Sequence, residues 1–335
     1  LLDAPEAGDP AGYPEKVKRR VAKYVADYTD YFKTNDARDD VVRTMLDPMP
    51  RLALVPGLGM FGFGRTHKDA RIASDVGEMW IEAVAGAEAV GTFHPLSRAE
   101  LFELEYWSLE QAKLAGNKPK PLTGQVLLVT GGGGAIGAAT AKLFASYGAH
   151  AVVADLDGGK AGAAAKAAGN NSIGIACDVT DPKSVRAAFD QAVKTFGGVD
   201  IVVSNAGAAF EGKIGELDDA LLRKSFELNF FSHQSVAQNA VRIFKEQGTG
   251  GVLLFNTSKQ AVNPGANFGA YGLPKAATLF LSRHYALEYG GIGVRSNAVN
   301  ADRIRSGLLD EAMIASRSKA RGVSEKDYMA GNLLH

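Results

Sequence analysis

Thr130-Gly131-Gly132-Gly133-Gly134-Ala135-Ile136-Gly137 stands between the apolar run Val126-Leu127-Leu128-Val129 and a stretch, about 135–147, patterned as a helix. Strand, glycine loop and helix in that order form the context in which a glycine cluster serves a dinucleotide. Glycines let the backbone close on a pyrophosphate, and the first N–H groups of the helix are left to bind it. Asp155 ends the next apolar run, Ala151-Val152-Val153-Ala154, a little under 20 residues beyond the last glycine. A carboxylate there accepts from both ribose hydroxyls and repels a 2′-phosphate. Residues 131–140 contain no Lys or Arg to offset that repulsion, so the predicted cofactor is NAD rather than NADP.

Outward from the loop the pattern repeats. Ile173-Gly174-Ile175-Ala176, Val199-Asp200-Ile201-Val202-Val203, 251–255 and 293–299 read as strands. Helices are predicted over about 182–196, 218–247 and 268–289. Near-continuous apolar strands alternating with helices predict an α/β fold, a Rossmann-type doubly wound parallel sheet with both faces covered.

The front of the chain reads differently. Val17, Val21, Tyr24, Val25, Tyr28 and Phe32 recur at helical spacing. Arg51-Leu52-Ala53-Leu54-Val55 reads as a strand stopped by Pro56-Gly57, and Gly57, Gly59, Gly62 and Gly64 follow as a glycine-rich segment. Further helices are predicted over 67–90 and 98–115. Phe102, Tyr106 and Trp107 in the second are expected to pack between domains. His67, at a helix start, and His94, before Pro95, read as structural. Gly116-Asn117-Lys118-Pro119-Lys120-Pro121 is a polar Pro/Gly linker. The domains are therefore read as 1–106, a linker over 107–120, and 121–335.

Composition narrows the function. Lys+Arg and Asp+Glu are 37 each, so the chain lacks the basic footprint of a nucleic-acid or anionic-membrane binder. The single cysteine, Cys177, rules out an intrachain disulfide framework and suits a reducing, cytoplasmic setting. No apolar run approaches the roughly 20 residues that span a bilayer. The predicted partners are a small-molecule substrate and a second copy of the chain. Apolar residues on more than one face of 218–247 and 268–289, among them Leu222, Phe226, Phe231 and Phe280, require both faces to be buried, which predicts a homo-oligomer.

Tyr271 and Lys275, four apart near a helix start, share one face. A cation beside the phenol favours phenolate, which makes Tyr271 a candidate general acid/base. Ser258, at the end of the fifth strand, can hold a substrate oxygen against it.

Together these motifs resemble those of the short-chain dehydrogenase/reductases over about 121–335. The resemblance implies cofactor contacts from Gly131, Gly133, Gly134, Ala135, Ile136, Gly137 and Asp155, and from Asp178-Val179 on the adenine side. It adds Asn205-Ala206-Gly207, Tyr271 and Lys275 to the cofactor site, and Asn229, Ser258, Tyr271 and Lys275 as the catalytic tetrad. Asn229 is implied to hold a proton-relaying water, and Lys275 to bind the nicotinamide ribose. Ala135 replaces one fingerprint glycine. Asn300-Ala301-Asp302-Arg303-Ile304-Arg305-Ser306 stands where the family has Pro-Gly, so the substrate class is open there.

The front segment, Leu54-Val55-Pro56-Gly57-Leu58-Gly59-Met60-Phe61-Gly62, and Glu105-Tyr106-Trp107 resemble the bifunctional aldolase/short-chain dehydrogenases. That family implies a truncated class II aldolase-like α/β module ahead of the dehydrogenase. Its aldolase half cleaves rhamnulose 1-phosphate, and its dehydrogenase half is associated with lactaldehyde oxidation in rhamnose catabolism. Pro56 stands where simple class II aldolases carry a zinc-binding His, so no metal site is predicted within these residues. The family's last strand is missing before Asn332-Leu333-Leu334-His335. With the start at Leu1 this predicts a piece of a longer chain, with an apolar outer strand left bare at 294–299. The alternatives are a sugar or polyol dehydrogenase fused to an inactive aldolase remnant, and a dinucleotide-binding module without turnover.

Overall fold

The computed structural model describes residues 2, 12–114, 119–306, 309–320 and 322–330, which form two compact units, Leu1–Pro119 and Lys120–His335. Linker residues 115–118 and the end-of-chain readings at 1 and 331–335 lie outside the described residues.

In the first unit, α1 (Tyr13–Asp36) precedes a hairpin of β1 (Leu52–Val55) and β2 (Gly59–Gly62). The glycine-rich segment of the sequence is thus partly a strand, turned at Gly57, whose φ of 77° favours glycine. α2 (His67–Val90) is capped by Thr66, which accepts from the Asp69 N–H. The helix expected over 98–115 is two helices, α3 (Arg98–Glu105) and α4 (Ser108–Leu114). The break lets Tyr106 turn inward. Its ring centre lies 5.0 Å from Phe32 and 4.6 Å from Phe102, and its hydroxyl accepts from the Leu46 N–H at 3.1 Å. Phe102 and Tyr106 are therefore core of this unit, contrary to the expected interdomain packing, while Trp107 is half exposed.

The second unit alternates β3 (Val126–Thr130), α5 (Ala135–Ser146), β4 (His150–Asp155), α6 (Gly158–Ala168), β5 (Ile173–Ala176), α7 (Pro182–Phe196) and β6 (Ile201–Ser204). It continues with α8 (Asp219–Phe226), α9 (Ser232–Gln247), β7 (Gly251–Asn256), α10 (Gly269–Tyr289), β8 (Val294–Val299), α11 (Glu311–Ala320) and α12 (Glu325–Ala330). The six strands are parallel in the order β5-β4-β3-β6-β7-β8. β3 is buried throughout, as a central strand covered on both faces must be.

Three features differ from the sequence reading. α6 escaped notice because its Ala/Gly-rich run gives helix propensity without an apolar stripe; Asp157 caps it. The long helix of 218–247 is interrupted by a π-turn over Glu227–Phe231, which carries Asn229. Among the described residues the outer strand β8 pairs with β7 alone, and its side chains alternate rather than form an apolar run: Val294 and Ser296 are buried and Arg295 and Asn297 exposed. Among the described residues no helix is long and apolar enough to cross a membrane.

Candidate active site

The chain leaves β3 for β4 and β5 on one side, then returns to β6, β7 and β8 on the other. Where strand order reverses, the loops after β3 and β6 part and leave a crevice at the carboxyl ends of the strands. A cleft of about 700 Å³ opens there.

Its first wall is the glycine loop. Gly131 has φ 60°, and a Cβ there would lie 2.9 Å from the Ala206 Cα. At Gly137 a Cβ would sit 2.4 Å from the Gly131 carbonyl oxygen, which fixes how closely α5 returns to the loop. Gly134 is the N-cap of α5 and no side chain caps it, so the helix's first N–H groups are not taken up by one. Gly131, Gly134, Ala135 and Ile136 line the cleft, whereas Gly133 and Gly137 shape the loop behind it.

Asp155 also lines the cleft. Its Oδ2 accepts from the Gly133 N–H at 2.9 Å and its Oδ1 from the Asp157 N–H at 3.0 Å. Asp178 and Val179 are not among the lining residues. The Asp178 carboxylate accepts from the Thr180 hydroxyl and N–H, which hold it below the usual carboxylate range.

Asn205, Ala206 and Gly207 form the facing wall. The Asn205 amide donates to the Thr130 and Gly131 carbonyls, its Oδ1 accepts from Asn256, and the Thr130 hydroxyl accepts from the Asn205 N–H. These bonds tie the ends of β3, β6 and β7 into one rigid rim.

Ser258, just beyond β7, and Tyr271 and Lys275, on the first turns of α10, come together at the other end of the cleft. A hydrogen bond from Ser258 draws the Tyr271 phenol down, but burial outweighs it and the phenol is raised. Burial lowers Lys275 to about 7. The lysine nitrogen lies 5.8 Å from the centre of the Tyr271 ring. The sequence reading had the cation lowering the phenol. In this structure desolvation dominates both groups, because each is removed from water and neither meets a carboxylate.

Asn229 lies behind Gly207, on the same side as the Lys275 nitrogen. Its Nδ2 donates to the Ala208 carbonyl at 3.0 Å and the Ser225 hydroxyl at 3.2 Å, and its Oδ1 accepts from the Ala208 N–H at 3.3 Å. Its own carbonyl accepts from Thr278 at 2.8 Å. Buried and off the cleft lining, Asn229 secures the loop after Gly207.

The substrate end is built partly from residues the sequence reading missed. Gln260 and the 263–268 loop lie between Ser258 and Tyr271, a bracket that could have signalled them. Arg317 of α11 and Tyr328 of α12 reach in from elements that were not read. Asp302 and Arg303 come from the 300–306 segment. Lys259 and Arg303 approach the Asp302 carboxylate at 3.6 and 3.8 Å, and Arg317 pairs with Glu211 at 2.5 Å. Among the described residues there is no cluster of His, Cys, Asp and Glu that could hold a metal.

The family model of short chain dehydrogenases matches residues 125–315. The chain belongs to the short-chain dehydrogenase family. The second domain of class II aldolases matches residues 1–114 of this short-chain dehydrogenase. An uncharacterized oxidoreductase, YuxG, of Bacillus subtilis is 33% identical over 314 residues, which are 90% of this chain and 44% of that protein. The chain thus spans under half the length of that curated relative. (−)-Isopiperitenol/(−)-carveol dehydrogenase of Mentha piperita is 35% identical over 193 residues, 56% of this chain and 73% of that enzyme. Among solved structures, a 3-ketoacyl-(acyl-carrier-protein) reductase from Brucella melitensis complexed with NADH superposes with a TM-score of 0.55 at 27% identity. The match covers 62% of this chain and 88% of that one.

Proposed function

We propose that the protein uses NAD to oxidise a short hydroxy-aldehyde, L-lactaldehyde or a near relative, as a step of rhamnose catabolism in the cytoplasm. In this reading it is part of a bifunctional protein whose aldolase half cleaves rhamnulose 1-phosphate. The observation that carries the cofactor assignment is Asp155, whose carboxylate lies on the cleft wall against the glycine loop. The loop fits a dinucleotide: Gly131 lines the cleft at a left-handed φ and lets the loop close on the Ala206 backbone, where a Cβ would clash, and α5 offers an N-terminus without a side-chain cap. The relative complexed with NADH supports the same reading.

Bound there, NAD would supply the hydride acceptor. The chain's own residues would do the rest. Ser258 orients the substrate oxygen. Tyr271 takes its proton, and the Lys275 ammonium favours the phenolate against the opposing effect of burial, so the two share control of one proton. Cys177, the single cysteine, is buried in the core and its thiol is raised by burial, so no thiolate is offered to an aldehyde. The aldehyde is therefore taken as its hydrate, which loses a hydride from carbon and a proton from oxygen to leave the acid.

Incubating the full chain with NAD and L-lactaldehyde should yield NADH and lactate in equal amounts. NADH formed from a polyol but not from the aldehyde would favour the sugar-dehydrogenase alternative. We also propose self-association through α8–α9 and α10, where Phe231, Leu273, Phe280 and Leu287 are exposed. Light scattering on the full chain should give two or four times the monomer mass, and a monomer would refute it.

A further inference from the structure

A buried polar chain beneath the Ser258 end of the cleft joins Lys275 to His233 and Ser204, which belong to none of the motifs described so far. His233, in the first turn of α9, has no exposed surface. One ring nitrogen, Nδ1, lies 2.6 Å from the hydroxyl of Ser204 at the end of β6. The other, Nε2, lies 3.3 Å from the Lys275 Nζ. The lysine also donates to the Asn256 carbonyl of β7 at 3.0 Å, and it lines the cleft.

The chemistry of these groups sets the direction of each bond. An ammonium can only donate, so Nε2 accepts from Lys275. Nδ1 then carries the imidazole proton and donates it to Ser204. We propose that His233 is a positioning residue: anchored by Ser204, it supplies the acceptor that keeps Lys275 an ammonium and directs its remaining N–H toward the cleft beside Tyr271. This rests on the reading above that Lys275 serves Tyr271.

The surroundings make this acceptor matter. Around Lys275 stand His233 from α9, Asn256 from β7, Asn229 from the π-turn and Tyr271 on its own helix, with Gly207 close by; none is anionic at neutral pH. The lysine is buried, and among the described residues it has no counter-ion to hold its proton, only the lone pairs of His233 and Asn256. His233, buried beside a cation, is pushed well below the usual histidine range and stays neutral, as an acceptor must. A lysine already lowered to about 7 is poised so that one lost acceptor changes its charge near neutral pH.

Three variants of the full chain separate the contacts. His233→Leu removes both. His233→Asn retains a short donor for Ser204 but cannot reach Lys275. His233→Gln places an amide oxygen where Nε2 was. Two quantities are read: the titration of Lys275 by ¹³Cε NMR, its signal assigned by loss in Lys275→Arg, and kcat and KM separately. His233→Leu and His233→Asn should lower the Lys275 midpoint by about one pH unit, the weight of one hydrogen bond to a charged group. They should also lower kcat by about tenfold with KM within twofold, and His233→Gln should restore both. An unchanged Lys275 titration in His233→Asn, or a His233→Gln variant that behaves like His233→Asn, would overturn the inference; this pair decides even if the Leu variant does not fold. The titration needs no turnover. If Tyr271→Phe proved fully active, the reading of the site would fail while the NMR result still judged His233.

Discussion

Replacing Tyr271 by Phe should cut turnover by about 10²–10⁴-fold and leave NAD binding largely intact. The substitution removes one oxygen, whose hydrogen-bond partner is Ser258, inside the cleft. No core packing is lost, so the melting temperature should move little. The loss falls on kcat because the phenol acts only when the substrate oxygen gives up or takes a proton. The same geometry fixes the sign of the pH dependence. Burial lowers Lys275 to about 7, so the ammonium that favours the Tyr271 phenolate is present below neutrality and lost above it. Oxidation by the wild-type protein should therefore fall as pH rises through about 7, where that charge goes. Steady-state rates at several pH values, with cofactor binding followed by NADH fluorescence, check both parts. A Tyr271→Phe protein with half the wild-type rate would favour a dinucleotide-binding module without turnover.

The second large effect is a change of cofactor. Asp155→Ala combined with Leu156→Arg should raise the NADP-to-NAD ratio of kcat/KM by about 10²-fold, the scale of adding one charge-assisted hydrogen bond to the 2′-phosphate while removing a repulsion. Leu156 follows the strand end and is 75% exposed, so an arginine there costs little packing. Asp155 has a second job, as acceptor for the Gly133 N–H, and the double variant should lose absolute affinity for both cofactors as the loop loosens. Asp155→Asn separates the roles, since its amide oxygen still accepts from Gly133 while the charge is gone. It should relax discrimination against NADP without the loss of affinity. Equal kcat/KM for the two cofactors in the unaltered protein would remove the basis of the argument.

What the sequence disclosed and what it hid follow from where the information lies. The strand–loop–helix at 126–146 and the succession of apolar runs are local patterns, and they specify a parallel sheet before any contact is known. Ser258, Tyr271 and Lys275 could be named because a hydroxyl, a phenol and an ammonium at that spacing carry their chemistry with them. Properties set by neighbours distant in sequence stayed hidden. The hairpin partner β2 looked like a loose glycine segment because its pairing with β1 is not written in Gly59-Met60-Phe61-Gly62 alone. Tyr106 looked like an interface residue until the break between α3 and α4 turned it onto Phe32. The direction of the Tyr271 shift depends on burial, which spacing does not report. Asn229 sits on a π-turn that spends its amide on Ala208, and no periodicity announced the extra residue in that helix. His233 was invisible for the same reason: its partners, Ser204 and Lys275, lie 29 residues before and 42 residues after it.

The central claim is that this cleft performs hydride transfer to a nicotinamide cofactor with Tyr271 as the proton-handling group. Its most direct test is to supply the full chain with NAD and L-lactaldehyde deuterated at the aldehyde carbon, and to analyse the cofactor by mass spectrometry. The account predicts one deuterium in each NADH formed, matched by one lactate, and almost none with Tyr271→Phe. Tight binding of NAD with no deuterium transferred from this or any related hydroxy-aldehyde or alcohol would contradict it.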